Sequence, residues 1–125
     1  MKRRHVLAKV AGGIAAASLP LGLWAQGDKP VTIVVPYAPG GTTDLLGRML
    51  AQQMEPLIGR QMIVDNKPGA GSGIGAAYVA RSAPDGNTLL VATSTTLAIN
   101  PSQYKKLAYD PAKDFAPIGM IGAVP

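Results

Sequence analysis

Three short stretches of the 125-residue chain concentrate glycine and hydroxyl side chains. The first is Pro39-Gly40-Gly41-Thr42-Thr43-Asp44, the second Pro68-Gly69-Ala70-Gly71-Ser72-Gly73-Ile74-Gly75, and the third Thr93-Ser94-Thr95-Thr96. Gly40 and Gly41 allow a backbone to approach a ligand closely, because glycine carries no Cβ. Threonine hydroxyls and the free N–H groups of a helix follow them. The second stretch repeats this arrangement before another helix, with Ser72 supplying a hydroxyl or an N-cap. The third presents only hydroxyls and amides. Two helix N-termini aimed at one crevice form an anion site, since unpaired N–H groups and aligned peptide dipoles favour negative charge. A carboxylate would then be held without a fixed cationic side chain. Each loop alone also reads as a connector with helix caps; three at one edge favour binding.

Four further side chains lie near these loops. Asp44 suits the first turn of a helix, where an acid complements the dipole; it also suits accepting from a ligand or ordering its own loop. Arg48 and Lys67 could add charge near a carboxylate but read as solvated. Tyr37 could stack or hydrogen-bond at the mouth of the crevice, or pack. Gly71-Ser72-Gly73-Ile74-Gly75-Ala76 matches a dinucleotide fingerprint on its letters but fails on context. Asn66-Lys67-Pro68-Gly69-Ala70 intervene between it and the preceding strand, and Thr93 and Ser94 stand where the ribose-binding acid belongs. No Gly-Lys-Ser/Thr phosphate loop is present.

The elements that must carry the loops follow from hydrophobic patterning. Val31–Val35 is a β-branched run between Pro30 and Pro36 and reads as a buried strand. Helical spacing from Asp44 places Leu45, Leu46, Met49, Leu50, Met54, Leu57 and Ile58 on one face, and Gly59 stops the helix. Met62–Val64 reads as a second strand. Ser72–Ala83 reads as a second helix burying Ile74, Ala77, Tyr78 and Ala80. Pro84–Asn87 is a turn and Thr88–Ala92 a third strand. This alternation is that of a parallel α/β sheet covered on both faces, and such sheets bind ligands beyond the carboxyl ends of their strands. Leu97–Asp114 looks irregular apart from a helical piece near Asn100–Tyr104, and Phe115–Val124 is strand-like.

The N-terminus sets the compartment. Met1–Lys9 is basic without a carboxylate, Val10–Trp24 is uncharged and apolar, and Ala25 precedes Gln26. These are the three parts of a cleaved secretory signal, here residues 1–25. Arg3-Arg4 also resembles a twin-arginine signal, so the export route stays open. The chain has twelve basic and seven acidic residues. Without the signal the count is eight against seven, which gives no reason to expect nucleic acid or an anionic membrane as partner. Cysteine is absent and His5, the single histidine, leaves with the signal. Ser-His-Asp and Cys-His catalysis are thereby excluded, as is the usual zinc site. The expectation is a non-enzymatic, monomeric domain with no cofactor or metal.

The same loops resemble the Bug receptors, the extracytoplasmic solute-binding proteins of tripartite tricarboxylate transporters. The marks are Val-Pro-Tyr-Ala-Pro-Gly-Gly-Thr-Thr-Asp (35–44), Asn-Lys-Pro-Gly-Ala-Gly (66–71), Pro-Asp-Gly-Asn-Thr-Leu-Leu (84–90), Ala-Ile-Asn-Pro (98–101), Asp110-Pro111 and Asp114-Phe115-Ala116-Pro117. The resemblance implies a type II periplasmic-binding-protein-like clamshell that closes on a small carboxylate and delivers it to membrane permease subunits. It implies that Gly40, Gly41, Thr42 and Asp44 form one grip and Ala70, Gly71, Ser72 and Gly73 another. Thr93, Ser94 and Thr95 would complete the wall, with Tyr37 at its mouth. The family commonly has Gly-Gly where this chain has Ser72-Gly73; a positive φ at Ser72 would cost on the order of 1 kcal/mol. Members are more than twice this length, so residues 26–125 correspond to the first lobe of the clamshell, the second being absent from this sequence. A truncated, inactive product of such a gene is the alternative reading, and a secreted hydrolase a weaker one. Citrate-like acids, C4-dicarboxylates, acidic amino acids and aromatic acids all suit the expected ligand.

Overall fold

A computed structural model describes residues 29–123. The signal segment expected at 1–25 and the last two residues lie outside the described residues. The order of elements is β1 (Val31–Val35), α1 (Thr42–Ile58), β2 (Met62–Asn66), α2 (Gly73–Ala80) and β3 (Thr88–Leu90), then a π-helical segment (Thr95–Ile99) and a short α3 (Asn100–Gln103). The three strands are parallel in the order β2-β1-β3. β1 pairs Ile33 with Val64 on one side and with Leu89 on the other. The parallel βαβαβ arrangement read from the sequence is the observed one.

β1 is an apolar run because both of its faces are covered. Its side chains alternate between faces: Val31, Ile33 and Val35 join Ala51, Met62 and Val91 in one core, while Pro36 meets α2 on the other side. The second core gathers Ala76, Ala77 and Tyr109 with Leu90, Leu107 and Phe115, the Tyr109 and Phe115 rings meeting edge to face at 5.8 Å. Two glycines set how closely the helices approach. A Cβ on Gly47 would lie 2.8 Å from Val35, and a Cβ on Gly75 would lie 2.7 Å from Pro36 and 2.9 Å from the Lys67 carbonyl.

Those small residues explain where the expected helix faces differ. The buried stripe of α1 runs through Asp44, Gly47 and Ala51, with Leu50 and Met54 alongside. Leu45, Met49 and Leu57 are exposed instead of buried. The helix carries more large apolar residues than one stripe holds, and the sheet takes the narrow side that lets it come close. In α2 the buried residues are Gly75, Ala76 and Ala77, and Ile74 and Tyr78 face outward. α2 ends at Ala80, three residues earlier than expected, with Arg81 as its cap. β2 is two residues longer than expected and β3 two shorter, although the Val91 N–H still reaches the Val34 carbonyl at 3.0 Å.

Phe115–Ala123 does not form a strand among the described residues. Ile118 and Met120 are 83% and 86% exposed. The outer edges of β2 and β3 carry no further strand among the described residues, and the segment pairs with neither.

The close approach at Gly75 is directly testable. Alanine is favoured over glycine inside a helix by about 1 kcal/mol, but overpacking against backbone that cannot move costs about 1–3 kcal/mol. The clash wins, so Gly75→Ala lowers the thermal midpoint by roughly 5–10 °C in a domain of this size. Gly119→Ala, whose Cβ would meet nothing within 4 Å, leaves it unchanged.

Candidate functional site

Because the strands are parallel, the chain leaves β1, β2 and β3 at one edge, and the three glycine- and hydroxyl-rich loops meet there. The first loop is organised by Asp44. Its carboxylate, 3% exposed, accepts from the Gly40 N–H at 2.9 Å, Arg48 Nε at 3.0 Å and Asn66 Nδ2 at 2.8 Å. Asn66 also donates to the Tyr37 carbonyl at 3.2 Å and accepts from Arg48 Nη2 at 3.1 Å. The end of β2 is thus fastened to the loop after β1. Hydrogen bonding from Arg48, then from Gly40 and Asn66, lowers the Asp44 pKa to about 2. Of the roles open to Asp44, the geometry realises the ordering of its own loop: three donors of the protein hold its buried carboxylate. Arg48 is correspondingly paired, not merely solvated. Lys67 is paired too, with Asp65 at 3.2 Å, and lies 4.3 Å above the Tyr78 ring.

With Asp44 turned inward, the open groups of this loop are donors. Gly41 caps α1 without a side-chain bond. Among the described residues the N–H groups of Gly41, Thr42 and Thr43 donate to no protein acceptor. The first turn of a helix leaves such groups unpaired by construction. The Gly40 amide, by contrast, is occupied by Asp44.

The second loop is a left-handed turn. Ala70, Gly71 and Ser72 have φ of 48°, 58° and 75°, closed by Gly73 N–H to the Ala70 carbonyl at 3.0 Å and Ile74 N–H to the Gly69 carbonyl at 3.4 Å. The positive φ foreseen for Ser72 is present, and Ala70 shares it, each at a cost of about 1 kcal/mol. Ser72 stands at the N-cap position of α2 but makes no cap bond. Its hydroxyl points inward to Thr96 Oγ1 at 2.8 Å and lies 3.4 Å from Asn100 Nδ2. The Gly73 amide closes the turn, which leaves the Gly71 and Ser72 N–H groups without an acceptor among the described residues.

The third loop joins the other two. Tyr37 Oη and Thr93 Oγ1 are 2.6 Å apart, and Thr93 and Thr96 hydroxyls 3.4 Å. Burial pushes the Tyr37 phenol pKa upward, but hydrogen bonding from the surrounding hydroxyls, chiefly Thr93, outweighs it and lowers the value overall. Asn100 donates to the Gly71 carbonyl at 2.7 Å and to Tyr109 Oη at 3.1 Å, and Tyr109 donates to the Thr96 carbonyl. Ser94 is exposed at the rim and Thr95 opens the π-helical segment.

Asn66, Asn100 and Tyr109 were not among the residues singled out from the sequence, and Thr96 was read only as part of the third stretch, with no role of its own. The two asparagines do sit inside the family-like motifs, Asn66 at 66–71 and Asn100 at 98–101; only the fold shows what they bind. The edge that results presents N–H and O–H groups, with the Asp44 carboxylate paired from within by Arg48 and the Asp65 carboxylate paired with Lys67. It suits an anion and supplies no nucleophile with a base partner. Two shallow grooves lie elsewhere: one at the far end of the sheet includes Glu55, Gly59 and Arg60, the other Tyr104, Lys105 and Asp114. Neither includes these loops.

Asp44 gives this account a titration. A depressed carboxylate contributes stability above its unfolded pKa, near 3.8, and loses it as pH falls through about 2. A carbon-detected NMR titration of Asp44 is expected to show its midpoint near the lower value, and Arg48→Gln to move that midpoint upward. A wild-type midpoint at the ordinary carboxylate value would refute the arrangement.

Comparison with known proteins places this edge in context. The family model described as "Tripartite tricarboxylate transporter family receptor" matches residues 46–125. Protein BugT of Bordetella pertussis is 35% identical over 128 aligned positions that take in 100% of this chain and 39% of BugT. The solved structure of MatC from Rhodopseudomonas palustris with bound malate superposes with a TM-score of 0.68 at 42% identity, covering 70% of this chain and 30% of MatC. Rpa4515 of R. palustris with adipate superposes with a TM-score of 0.64 at 38% identity, covering 68% and 29%. The chain therefore spans well under half the length of the relatives it matches. The proteins it resembles are substrate-binding receptors of transporters, not enzymes. The chain belongs to the receptor family of the tripartite tricarboxylate transporters.

Proposed function

We propose that this chain binds a small carboxylate solute in the periplasm and forms part of a receptor that delivers it to membrane permease subunits. The observation that carries the reading is the convergence of unpaired N–H groups from Gly41, Thr42 and Thr43 with that of Gly71 at an edge whose Asp44 carboxylate is held by its own neighbours. Oriented amides at two helix starts stabilise an anion without a salt bridge. Thr93, Ser94 and Thr95 line the wall, Tyr37 stands at its mouth, and Ala70 and Gly73 shape the turn. Gly40 and Asp44 hold the first grip in place. Malate in MatC and adipate in Rpa4515 point to dicarboxylates of four to six carbons as the ligand class.

Residues 26–125 form one lobe on this reading, preceded by a cleaved signal at 1–25. One wall of a two-walled site holds a ligand weakly, so malate is expected to bind this chain with a millimolar dissociation constant, about −4 kcal/mol. In an NMR titration, malate and adipate shift the amides of Gly41, Thr42 and Gly71, and the uncharged dimethyl esters do not. Equal shifts with the esters, or shifts confined to the far end of the sheet, would sink the proposal. Mass spectrometry of exported material is expected to find Gln26 as the first residue.

A further inference from the structure

Ser72 occupies the left-handed region at φ 75°, where glycine is at ease and serine is not. Its side chain is buried, with Thr96 Oγ1 at 2.8 Å and Asn100 Nδ2 at 3.4 Å. Asn100 also grasps the Gly71 carbonyl at 2.7 Å. The exposed Gly71 amide of the proposed grip therefore belongs to a turn anchored on Asn100 through Gly71 and on Thr96 and Asn100 through Ser72. Both partners are themselves buried and fixed by Tyr109, which accepts from Asn100 and donates to the Thr96 carbonyl.

Resting on the carboxylate-binding reading, we infer that Ser72 is a positioning residue: its hydroxyl, tied to Thr96 and Asn100, locks the left-handed turn so that the exposed Gly71 amide is aimed before a ligand arrives. Glycine at this position would satisfy the backbone with less strain and leave the tie unmade. The hydroxyl is therefore not explained by the local conformation. Nor does it reach a ligand, being 2% exposed. Its effect on binding runs through the fraction of molecules whose loop is already in the competent shape.

The test compares the full chain with Ser72→Gly, Thr96→Val and Thr96→Ser. The order parameter of the Gly71 amide is measured without ligand, and malate affinity by amide shifts. Ser72→Gly and Thr96→Val are expected to lower the Gly71 order parameter from the rigid range, about 0.85, toward 0.6. Both are expected to weaken malate about 3- to 10-fold, the size of one net hydrogen bond. Thr96→Ser, which keeps the hydroxyl, restores order and affinity. A Ser72→Gly chain with wild-type order at Gly71 overturns the inference, even if Thr96→Val fails to fold. A wild-type chain that binds no malate would defeat the carboxylate reading instead, and the ligand-free order parameters still decide the role of Ser72.

Discussion

A strand paired on both edges and covered on both faces has nowhere to move, and β1 is in that position. Ile33, Val34 and Val35 are wholly inaccessible to solvent, and the loop that leaves Val35 starts from a fixed point. α1 and α2 press on opposite sides of the same strand through Gly47 and Gly75. The N-termini of both helices are thereby placed relative to one another by a single segment of five residues. The edge where amides converge is a consequence of that packing. Parallel pairing then brings the ends of β2 and β3 to the same level, which is how residues far apart in the chain come to share one surface.

The local signals in the sequence were strong where a single residue or dipeptide determines conformation. β-branched residues between prolines marked β1, Gly59 marked the end of α1 with φ 66°, and the glycine-rich stretches marked the loops. The buried faces of the helices were not legible. Leu45 and Met49 have the right chemistry for a core, but Gly47 and Ala51 have the right size for close approach, and size decided which side met the sheet. Phe115–Ala123 has strand-like composition, yet composition does not say whether the segment pairs with the sheet, and here it does not.

The site shows the same division. Which loops would meet was legible from topology, but the duty of each group was not. Asp44 and Ser72 look like ligand-facing residues in the sequence, and both turn inward. Of their partners, Arg48 lies four residues beyond Asp44 along the same helix, where side chains meet by spacing alone. Asn66 at twenty-two residues and Thr96 at twenty-four are brought in by the fold, and no spacing rule reveals them. Neutralising Asp44 internally matters for the electrostatics of the edge: an open carboxylate there would oppose any anion within a few ångströms.

The turn at residues 70–72 carries one more implication. Its three residues wind with a left hand, and the chain reverses to a right hand as α2 begins. For an L-residue such as Ala70 this is the disfavoured enantiomeric basin, and for the mirror-image amino acid it is the preferred one. D-alanine is therefore the stereochemically matched residue at position 70, and a chemically synthesised chain carrying it would hold the loop with less strain than the ribosomal product does.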